Sequence, residues 1–382
     1  MDRLFTWGAN SYGQLGVGNR ADTPVPAECV LPEGTRLREV TGGGGHTVLL
    51  TVEGSVLVFG WNKDGQLGLG PSDDVTVPRP LALTASITKV ACGWNHTLAV
   101  TRGGSLLVWG SNSYGQLGIS ETRHPQPCPV ELAHKLFGNS NVRDVAAGLR
   151  HSLAVSEDGV VFCWGDGRKG QLGWEREGTS QPQPVSFPLA AKCTRCAAGS
   201  YHCAVVSEQG GVFTWGLNQD GQCGVPPGET SPRRDGGRGM VCTPRPLHLP
   251  PVEMIRCGWS HTIAIAVGGC VMVWGRCDYG QLGLEPHLLA MEGRCSYLPS
   301  ELRPLKGARQ VSCGSEHNIA MNGSGDVLTW GWNEHGMCGT GHEENVLTPY
   351  MLQVPVDKRA ETVLVGSGGG AYHVGCQGQP NI

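Results

Sequence analysis

The feature that most constrains this chain is a short motif that recurs seven times along its 382 residues. Each copy begins with an aromatic residue followed by glycine, and six residues after the aromatic stands a glycine that opens G-Q-L-G or a near variant. The aromatic residues are Trp7, Phe59, Trp109, Trp164, Trp215, Trp274 and Trp330. Self-similarity at this spacing is typical of repeat architectures, in which each unit buries its apolar face against its neighbours.

A second motif, G-x-x-H, also occurs seven times. Its histidines are His46, His96, His151, His202, His261, His317 and His373. From each of the first six histidines to the next repeat aromatic is always 13 residues, so the variation in length lies between one G-Q-L-G and the next G-x-x-H. A rigid unit with variable connections is typical of a scaffold that carries its differences in surface loops.

Within one unit the residues predict four short strands. Residues 89–93 form a first strand that ends at the glycine of G-x-x-H, residues 96–100 a second and residues 105–110 a third. A fourth strand follows the glycine-rich loop. Sets of four short antiparallel strands are typical of propeller blades, so seven units predict an all-β, seven-bladed β-propeller.

The two ends of the sequence hold complementary halves of a unit. Residues 4–7 fit a third strand, whereas residues 362–376 fit the first half of a blade. Pairing them in one blade closes the ring and removes the open sheet edges. The chain is therefore predicted to be a single domain. Its blade units lie roughly at 31–81, 82–132, 133–187, 188–249, 250–305, 306–354, and 355–382 together with 1–30.

The composition excludes several classes of protein. The 59 glycines follow no triplet period, which excludes collagen. The formal net charge of −4 has the wrong sign for a protein that binds nucleic acid through a basic surface. The sequence contains no stretch of 18 apolar residues, so we expect no transmembrane helix. The sequence start lacks the apolar core of a signal peptide, and the 16 cysteines fit reduced thiols, so we expect a cytoplasmic protein, with the nucleus as a second compartment.

No motif in the sequence predicts covalent catalysis, a metal or a cofactor. Cys193-x-x-Cys196 lacks the second ligand pair that zinc needs, so buried thiols are the better interpretation. Residues 366–371 fit G-x-G-x-x-A, but a dinucleotide site requires a helix next, and a repeat strand follows instead. The P-loop and G-x-S-x-G patterns are absent. We therefore expect a monomeric binding protein without cofactors.

The units are similar to the repeats of the regulator of chromosome condensation family, whose members form seven-bladed propellers. The resemblance covers residues 3–376. Several stretches look like family members that are guanine nucleotide exchange factors linked to secretion, among them WGANSYGQLG at 7–16, AAGLRH at 146–151 and WGWNEHGMCG at 330–339. The resemblance implies exchange on a small GTPase and partners in the secretory pathway. The alternative is a scaffold for GTPase-pathway or trafficking proteins, because propellers host many unrelated functions.

The repeat histidines and aromatics are interpreted as structural. Seven copies at one register serve a fold rather than a single site. A metal would need three or four ligands within a few ångström of each other, which radially separated blades do not provide. The aromatics are expected in the core between blades.

The partner surface is expected on the face that carries the G-x-x-H turns and the loops before G-Q-L-G, because both point the same way. Tryptophans outside the repeat positions cluster in these loops, and tryptophan is enriched in interface hot spots; packing of loop against loop is the alternative. The polar residues four and five positions after each aromatic vary on a constant frame, which fits either a recognition surface or an unconstrained one. The candidates for partner binding are Trp61, Asp64, Trp94, Asp220, Trp259, Asp278, Trp332, Glu334 and His335.

An exchange factor speeds nucleotide release by binding the nucleotide-free GTPase better than the loaded one. The GTPase holds its phosphates with backbone amides, a lysine and Mg²⁺. An acidic group on a protruding loop can displace these contacts, and the acidic candidates above lie in suitable loops. Three long connections, residues 119–145, 225–246 and 284–304, are either further functional loops or disordered insertions.

Overall fold

Short antiparallel β-strands are the main secondary structure in the computed structural model, which describes residues 3–120, 122–188, 191–231, 239–285, 294–353, 363–368 and 371–376. Within these residues, 28 strands form seven four-stranded sheets. Four short 3-10 turns accompany them, at His134–Phe137, Pro227–Glu229, Arg303–Leu305 and Glu334–Gly336.

Six of the sheets are blades formed by continuous stretches of chain, and in each the four strands lie side by side in sequence order. Blade 1 consists of β3 (Leu37–Gly42), β4 (His46–Thr51), β5 (Val56–Gly60) and β6 (Val75–Leu81). Blade 2 consists of β7 (Ile87–Cys92), β8 (His96–Thr101), β9 (Leu106–Gly110) and β10 (Gln126–Leu132). Blade 3 consists of β11 (Val142–Ala147), β12 (His151–Ser156), β13 (Val161–Asp166) and β14 (Gly178–Pro184). Blade 4 consists of β15 (Cys193–Ala198), β16 (His202–Ser207), β17 (Val212–Leu217) and β18 (Met240–Leu247). Blade 5 consists of β19 (Val252–Cys257), β20 (His261–Ala266), β21 (Val271–Arg276) and β22 (Cys295–Glu301). Blade 6 consists of β23 (Gln310–Cys313), β24 (His317–Met321), β25 (Val327–Gly331) and β26 (Val346–Met351).

The seventh sheet combines strands from both ends of the sequence, in the order β2-β1-β28-β27. Its strands are β1 (Arg3–Gly8), β2 (Thr23–Cys29), β27 (Val363–Gly368) and β28 (Ala371–Cys376). β1 pairs antiparallel with β28, from Arg3 opposite Cys376 to Gly8 opposite Ala371. Seven equivalent motif copies therefore do not give seven equivalent blades. The predicted count of seven blades is corrected to six complete blades, each formed by continuous chain. The remaining sheet is composite, because its motif is split between two distant segments. Its strands β27 and β28 are described by their backbone alone.

The burial of each strand follows from its place in the blade. Second and third strands are covered on both faces by neighbouring blades, so every residue of β4 and β5 is buried. The outer strand β6 consists mainly of half-buried and exposed residues and contains two prolines, which an edge strand tolerates. The repeat tryptophan Trp109 is 0% exposed and packs in one cluster with Val58 and Leu67 of the preceding blade. The predicted core position of the repeat aromatics is confirmed.

Deleting residues 1–16 tests the pairing of β1 with β28. The deletion removes the central strand contact of the composite sheet and the fully buried Trp7. We expect the melting temperature to fall by at least about 5 °C, since each 1 kcal/mol shifts it by a few degrees. Arg3→Ala is the control, because its ion pair with Glu28 is half exposed and contributes little. A deletion variant that melts within a degree or two of the parent would show that the ring closes elsewhere.

Candidate partner-binding face

A repeated set of hydrogen bonds, here called the interblade network, joins each blade to the next. Between blades 1 and 2, the carbonyl oxygen of Gln66 accepts the indole N–H of Trp109 at 2.9 Å and the hydroxyl of Thr97 at 2.9 Å. Because that hydroxyl donates to Gln66, it accepts the Nε2–H of His46, at 3.0 Å. Three parts of the repeat, G-Q-L-G, G-x-x-H and the aromatic, therefore meet at one point.

The residue at the position of Thr97 differs from one interface to the next, and each of these residues keeps the hydrogen bonds of the interblade network. Its occupants at the following four interfaces are Ser152, Cys203, Thr262 and Asn318, each bonded to a repeat histidine. At the last of these, the amide oxygen of Asn318 accepts the Nε2–H of His261 at 2.7 Å, and its nitrogen donates to the carbonyl of Gln281 at 2.8 Å. The structure thus places five repeat histidines between blades. The side chain of His373 lies outside the described residues.

Burial keeps these imidazoles neutral. It lowers the pKa of His46, His96 and His202 to about 3, and that of His151 and His261 to about 4. A neutral imidazole with Nε2 protonated has the donor that the network requires. Imidazoles with pKa values this low do not exchange protons near neutral pH.

Two motif glycines are required by close contacts. A Cβ on Gly43, the glycine of G-x-x-H, would overlap the ring of His46 and the carbonyl oxygen of Gly93 on the next blade. Gly60, which follows the repeat aromatic, has φ +104° and lies against the carbonyl of Gly45. Only glycine adopts that backbone conformation readily. The chain therefore leaves the third strand in a fixed direction, which positions the loop that follows.

The G-x-x-H turns and the loops between third and fourth strands share one face, which we call the loop face. The backbone N–H of Trp61 donates to the carbonyl of Gly45 at 2.8 Å. The amide of Asn95 donates to the carboxylate of Asp64 at 2.9 Å, across two blades. The Trp61 ring stacks on Tyr12, with centroids 4.8 Å apart. Trp61 and Asp64 are thus engaged by neighbouring loops.

Trp94 and Trp259 meet over the axis of the ring. They belong to the G-x-x-H turns of blades 2 and 5, and their rings form an edge contact with centroids 5.2 Å apart. Both line a small pocket whose other walls are the glycine-rich turns of blades 1 to 6. They therefore form an aromatic contact at the centre of the loop face.

A cleft of about 1070 Å³ opens on the loop face over blades 4 to 6. It brings together five of the sequence-predicted candidates, Asp220, Trp259, Asp278, Trp332 and Glu334. The other four, Trp61, Asp64, Trp94 and His335, are not among its lining residues. We call this cavity the acidic cleft, since four carboxylates line it against two arginines; they are Asp220, Asp278, Glu316 and Glu334, with Arg276 and Arg294.

Arg276 organises the charges of the acidic cleft. Its Nε lies 2.7 Å from Asp278 Oδ1, and its Nη1 lies 3.2 Å from Glu316 Oε1. The second Glu316 oxygen accepts a hydrogen bond from the amide of Gln281 at 2.7 Å. Burial raises the pKa of Glu316 to about 7, although Arg276 acts to lower it. The negative charge of the cleft therefore changes near neutral pH.

Sequence reasoning missed Arg276 and Glu316. Glu316 stands directly before a repeat histidine, at a position occupied by Gly45, Asn95 and Arg150 in other copies. This variation on a fixed frame is the signal that drew attention to the loop positions, and it applies equally here. Arg276 stands two residues after the repeat aromatic, at the position of Trp61 and Trp332, so the same signal applies to it. Spacing does not show, however, that it reaches Glu316, 40 residues further along the chain.

His335 is directed toward the composite sheet. Its Nδ1 lies 2.8 Å from the carboxylate of Asp22. In six motif copies the glutamine side chain accepts the backbone N–H two residues before it, as Gln281 does from Tyr279 at 2.8 Å. Met337 replaces that glutamine in the copy that contains His335, and His335 takes φ +63°. The loss of the amide acceptor accounts for the different local conformation.

The cysteine pair adds no site, whereas the long connection 284–304 contributes Arg294 and Tyr297 to the acidic cleft. Burial raises the pKa of the Cys193 thiol to about 12 and that of Cys196 well above its ordinary range. In the part of the chain that the structure describes, no group of three or more His, Cys, Asp or Glu residues is placed to hold a metal. No helix there is long and apolar enough to span a membrane. Residues 232–238 and 286–293 of the long connections lie outside the described residues.

The structural role of the repeat histidines predicts that His96→Ala lowers stability and leaves partner binding unchanged. The variant loses the 2.9 Å hydrogen bond to Ser152 and leaves a cavity between blades. We expect the free energy of unfolding to fall by roughly 2–4 kcal/mol in urea titrations. His248→Ala, at an exposed position, is the matched control. Normal stability with lost partner affinity would assign His96 to the interface instead.

The buried histidines also predict acid lability. Their folded-state pKa values lie below the unfolded value of about 6.5, so the unfolded chain binds more protons, and stability present above pH 6.5 is lost as the pH falls toward about 4. Each such histidine contributes a slope of up to about 1.4 kcal/mol per pH unit. Glu316 and Asp144, whose pKa values burial raises, act in the opposite direction, but they are two carboxyl groups against five imidazoles. Urea midpoints that stay constant from pH 7 to pH 5 would contradict this account.

Comparisons with known proteins extend over the whole ring. Residues 3–375 match the family model described as RCC1-like domain. The chain is 38% identical to the secretion-regulating guanine nucleotide exchange factor of Mus musculus, covering 98% of this chain and 83% of that protein. It is 32% identical to the ultraviolet-B receptor UVR8 of Arabidopsis thaliana, covering 96% and 69%.

A solved structure gives the same result. Prp20p from Saccharomyces cerevisiae, whose structure was described together with its binding to Gsp1p and histones, superposes with a TM-score of 0.88 at 26% identity, covering 100% of this chain and 92% of that one. The resemblance inferred from the repeats is thereby confirmed, and the chain belongs to the family of RCC1-like domain proteins.

Proposed function

We propose that the chain is a guanine nucleotide exchange factor for a small GTPase of the secretory pathway, that it acts in the cytoplasm, and that the GTPase docks at the acidic cleft. The similarity to the mouse exchange factor supports the activity, because it extends over 98% of this chain. The binding of Prp20p to Gsp1p supports this class of partner. The observation that carries the location is the grouping of four carboxylates beside Trp259 and Trp332 in one cleft.

The chemistry of a GTPase fits such a cleft. A loaded GTPase holds its nucleotide phosphates with backbone N–H groups, a lysine and Mg²⁺. When the nucleotide leaves, these positive groups lose their anion. Carboxylates from the acidic cleft can accept hydrogen bonds from them, which stabilises the empty GTPase relative to the loaded one. A partner that binds the empty state better accelerates release without making any covalent bond.

The cleft is also rigid, which favours binding. The backbone N–H of Trp332 donates to the carbonyl oxygen of Glu316 at 2.9 Å, and that of Trp259 donates to the carbonyl of Ser315 at 2.7 Å. The hydroxyl of Tyr297 donates to the carbonyl of Gln219 at 2.8 Å. Since backbone contacts already fix the loops, little conformational entropy is lost on docking.

A paired substitution tests the location. The double variant Asp220→Asn with Glu334→Gln removes two charges from the acidic cleft while keeping the shape of both side chains. We expect the rate of fluorescent GDP release from the responsive GTPase to fall at least about tenfold, as for loss of interface hot spots. Asp64→Asn is the matched control, because Asp64 occupies the same repeat position as Asp220 but does not line the cleft. It should change the rate by less than about twofold.

The outcomes separate the competing functions. Stimulated release from at least one member of a panel of small GTPases is the result that we expect. Binding to a nucleotide-free GTPase without release would favour the scaffold function instead. Equal losses in the cleft variant and in Asp64→Asn would place the docking site elsewhere on the loop face, and neither binding nor release with any GTPase would overturn the proposal.

A further inference from the structure

The central channel of the ring contains a second concentration of charge. A cavity of about 400 Å³ is lined by the first strands of blades 1 to 6. First strands end at the G-x-x-H turns of the loop face, so residues near their starts lie toward the opposite face. The charged residues that line the cavity are Arg38, Glu39, Lys89, Asp144, Arg195 and Arg256.

Cations outnumber carboxylates in this channel cavity, and they come from four different blades. Lys89 forms an ion pair with Glu39 at 2.9 Å. One oxygen of the half-buried Asp144 accepts the backbone N–H of Cys196 at 2.9 Å. Burial raises the pKa of Asp144, while Lys89 and Arg256 act to lower it, which shows that these cations lie near its carboxyl group.

Three arginines of the cavity form no direct ion pair in the described part of the chain. Among the described residues, Arg38, Arg195 and Arg256 form no ion pair with a carboxylate. The first strand of the composite sheet, Val363–Gly368, contains no acidic residue in its sequence. The cavity is therefore locally positive in a chain whose formal net charge is −4. A concave site with charge of one sign concentrates counter-ions, because its protein walls focus the field.

We propose that the channel cavity binds a small molecule that carries two or more phosphate groups. The planar guanidinium of arginine matches two phosphate oxygens at once, and cations that converge from separate blades suit several phosphates on one compact molecule. The volume of the cavity falls within the range of about 300–1,000 Å³ of small-molecule sites. This site is separate from the acidic cleft and does not depend on exchange activity.

The test titrates the full chain with inorganic tripolyphosphate in a calorimeter, at constant ionic strength. We expect saturable binding with one site per chain. Arg195→Gln and Arg256→Gln should each weaken the affinity at least about tenfold, and Arg195→Lys, which keeps the charge but loses the planar fork, should weaken it less. Arg303→Gln is the matched control, because that side chain is 88% exposed and does not line the cavity; its affinity should equal that of the parent.

Several results would overturn the proposal. They are the absence of saturable heat, an equal response to sulfate at the same ionic strength, and equal affinity for the Arg195→Gln and Arg303→Gln variants. Thermal unfolding of each variant shows whether it is folded. If Arg256→Gln does not fold, the exposed position of Arg195 keeps the comparison with Arg303→Gln decisive.

Discussion

The carbonyl oxygen of the glutamine in each G-Q-L-G loop is the acceptor on which the ring depends. At five interfaces it accepts the indole N–H of the next repeat tryptophan, at 2.8–3.1 Å. The hydroxyl or its substitute donates a second bond to this oxygen. The repeat histidine in turn bonds to the hydroxyl or its substitute. All these groups are buried, so each lost partner would leave an unsatisfied group at a cost of about 1–3 kcal/mol. Where Phe59 replaces tryptophan, the bond from Thr47 to Gln14, 2.8 Å long, remains.

The interblade network fixes how the blades pack, and the positions that take no part in it are free to carry functional side chains. The residue before each repeat histidine and the residues between the aromatic and G-Q-L-G project onto the loop face, and over blades 4 to 6 they form the acidic cleft. The residues near the starts of the first strands are also free to vary, and Arg38, Arg195 and Arg256 among them line the channel cavity. One ring thus carries a negative site on the loop face and a positive site in its channel, each built from several blades.

The periodicity of the sequence was sufficient to predict the elements. The expected strands at 96–100 and 105–110 correspond to β8 and β9, because the glycines and the short apolar runs between them are local features of the sequence. The composition of the acidic cleft was less accessible. Arg276 of blade 5 forms an ion pair with Glu316 of the neighbouring blade 6. Spacing along the chain does not reveal which loops are neighbours in a ring. The sequence predicts His335 as a partner-binding residue from its position alone, whereas in the structure it pairs with Asp22 of the composite sheet's loop.

Hydrogen exchange on the chain with and without a nucleotide-free GTPase tests the central claim most directly. If the acidic cleft is the docking site, amide protection should increase in residues 219–220, 276–279, 315–316 and 332–334. The equivalent loop of blade 1, residues 61–65, should change little, although it has the same fold and lies on the same face. Protection confined to blades 1 and 2, or to the opposite face of the ring, would contradict the account.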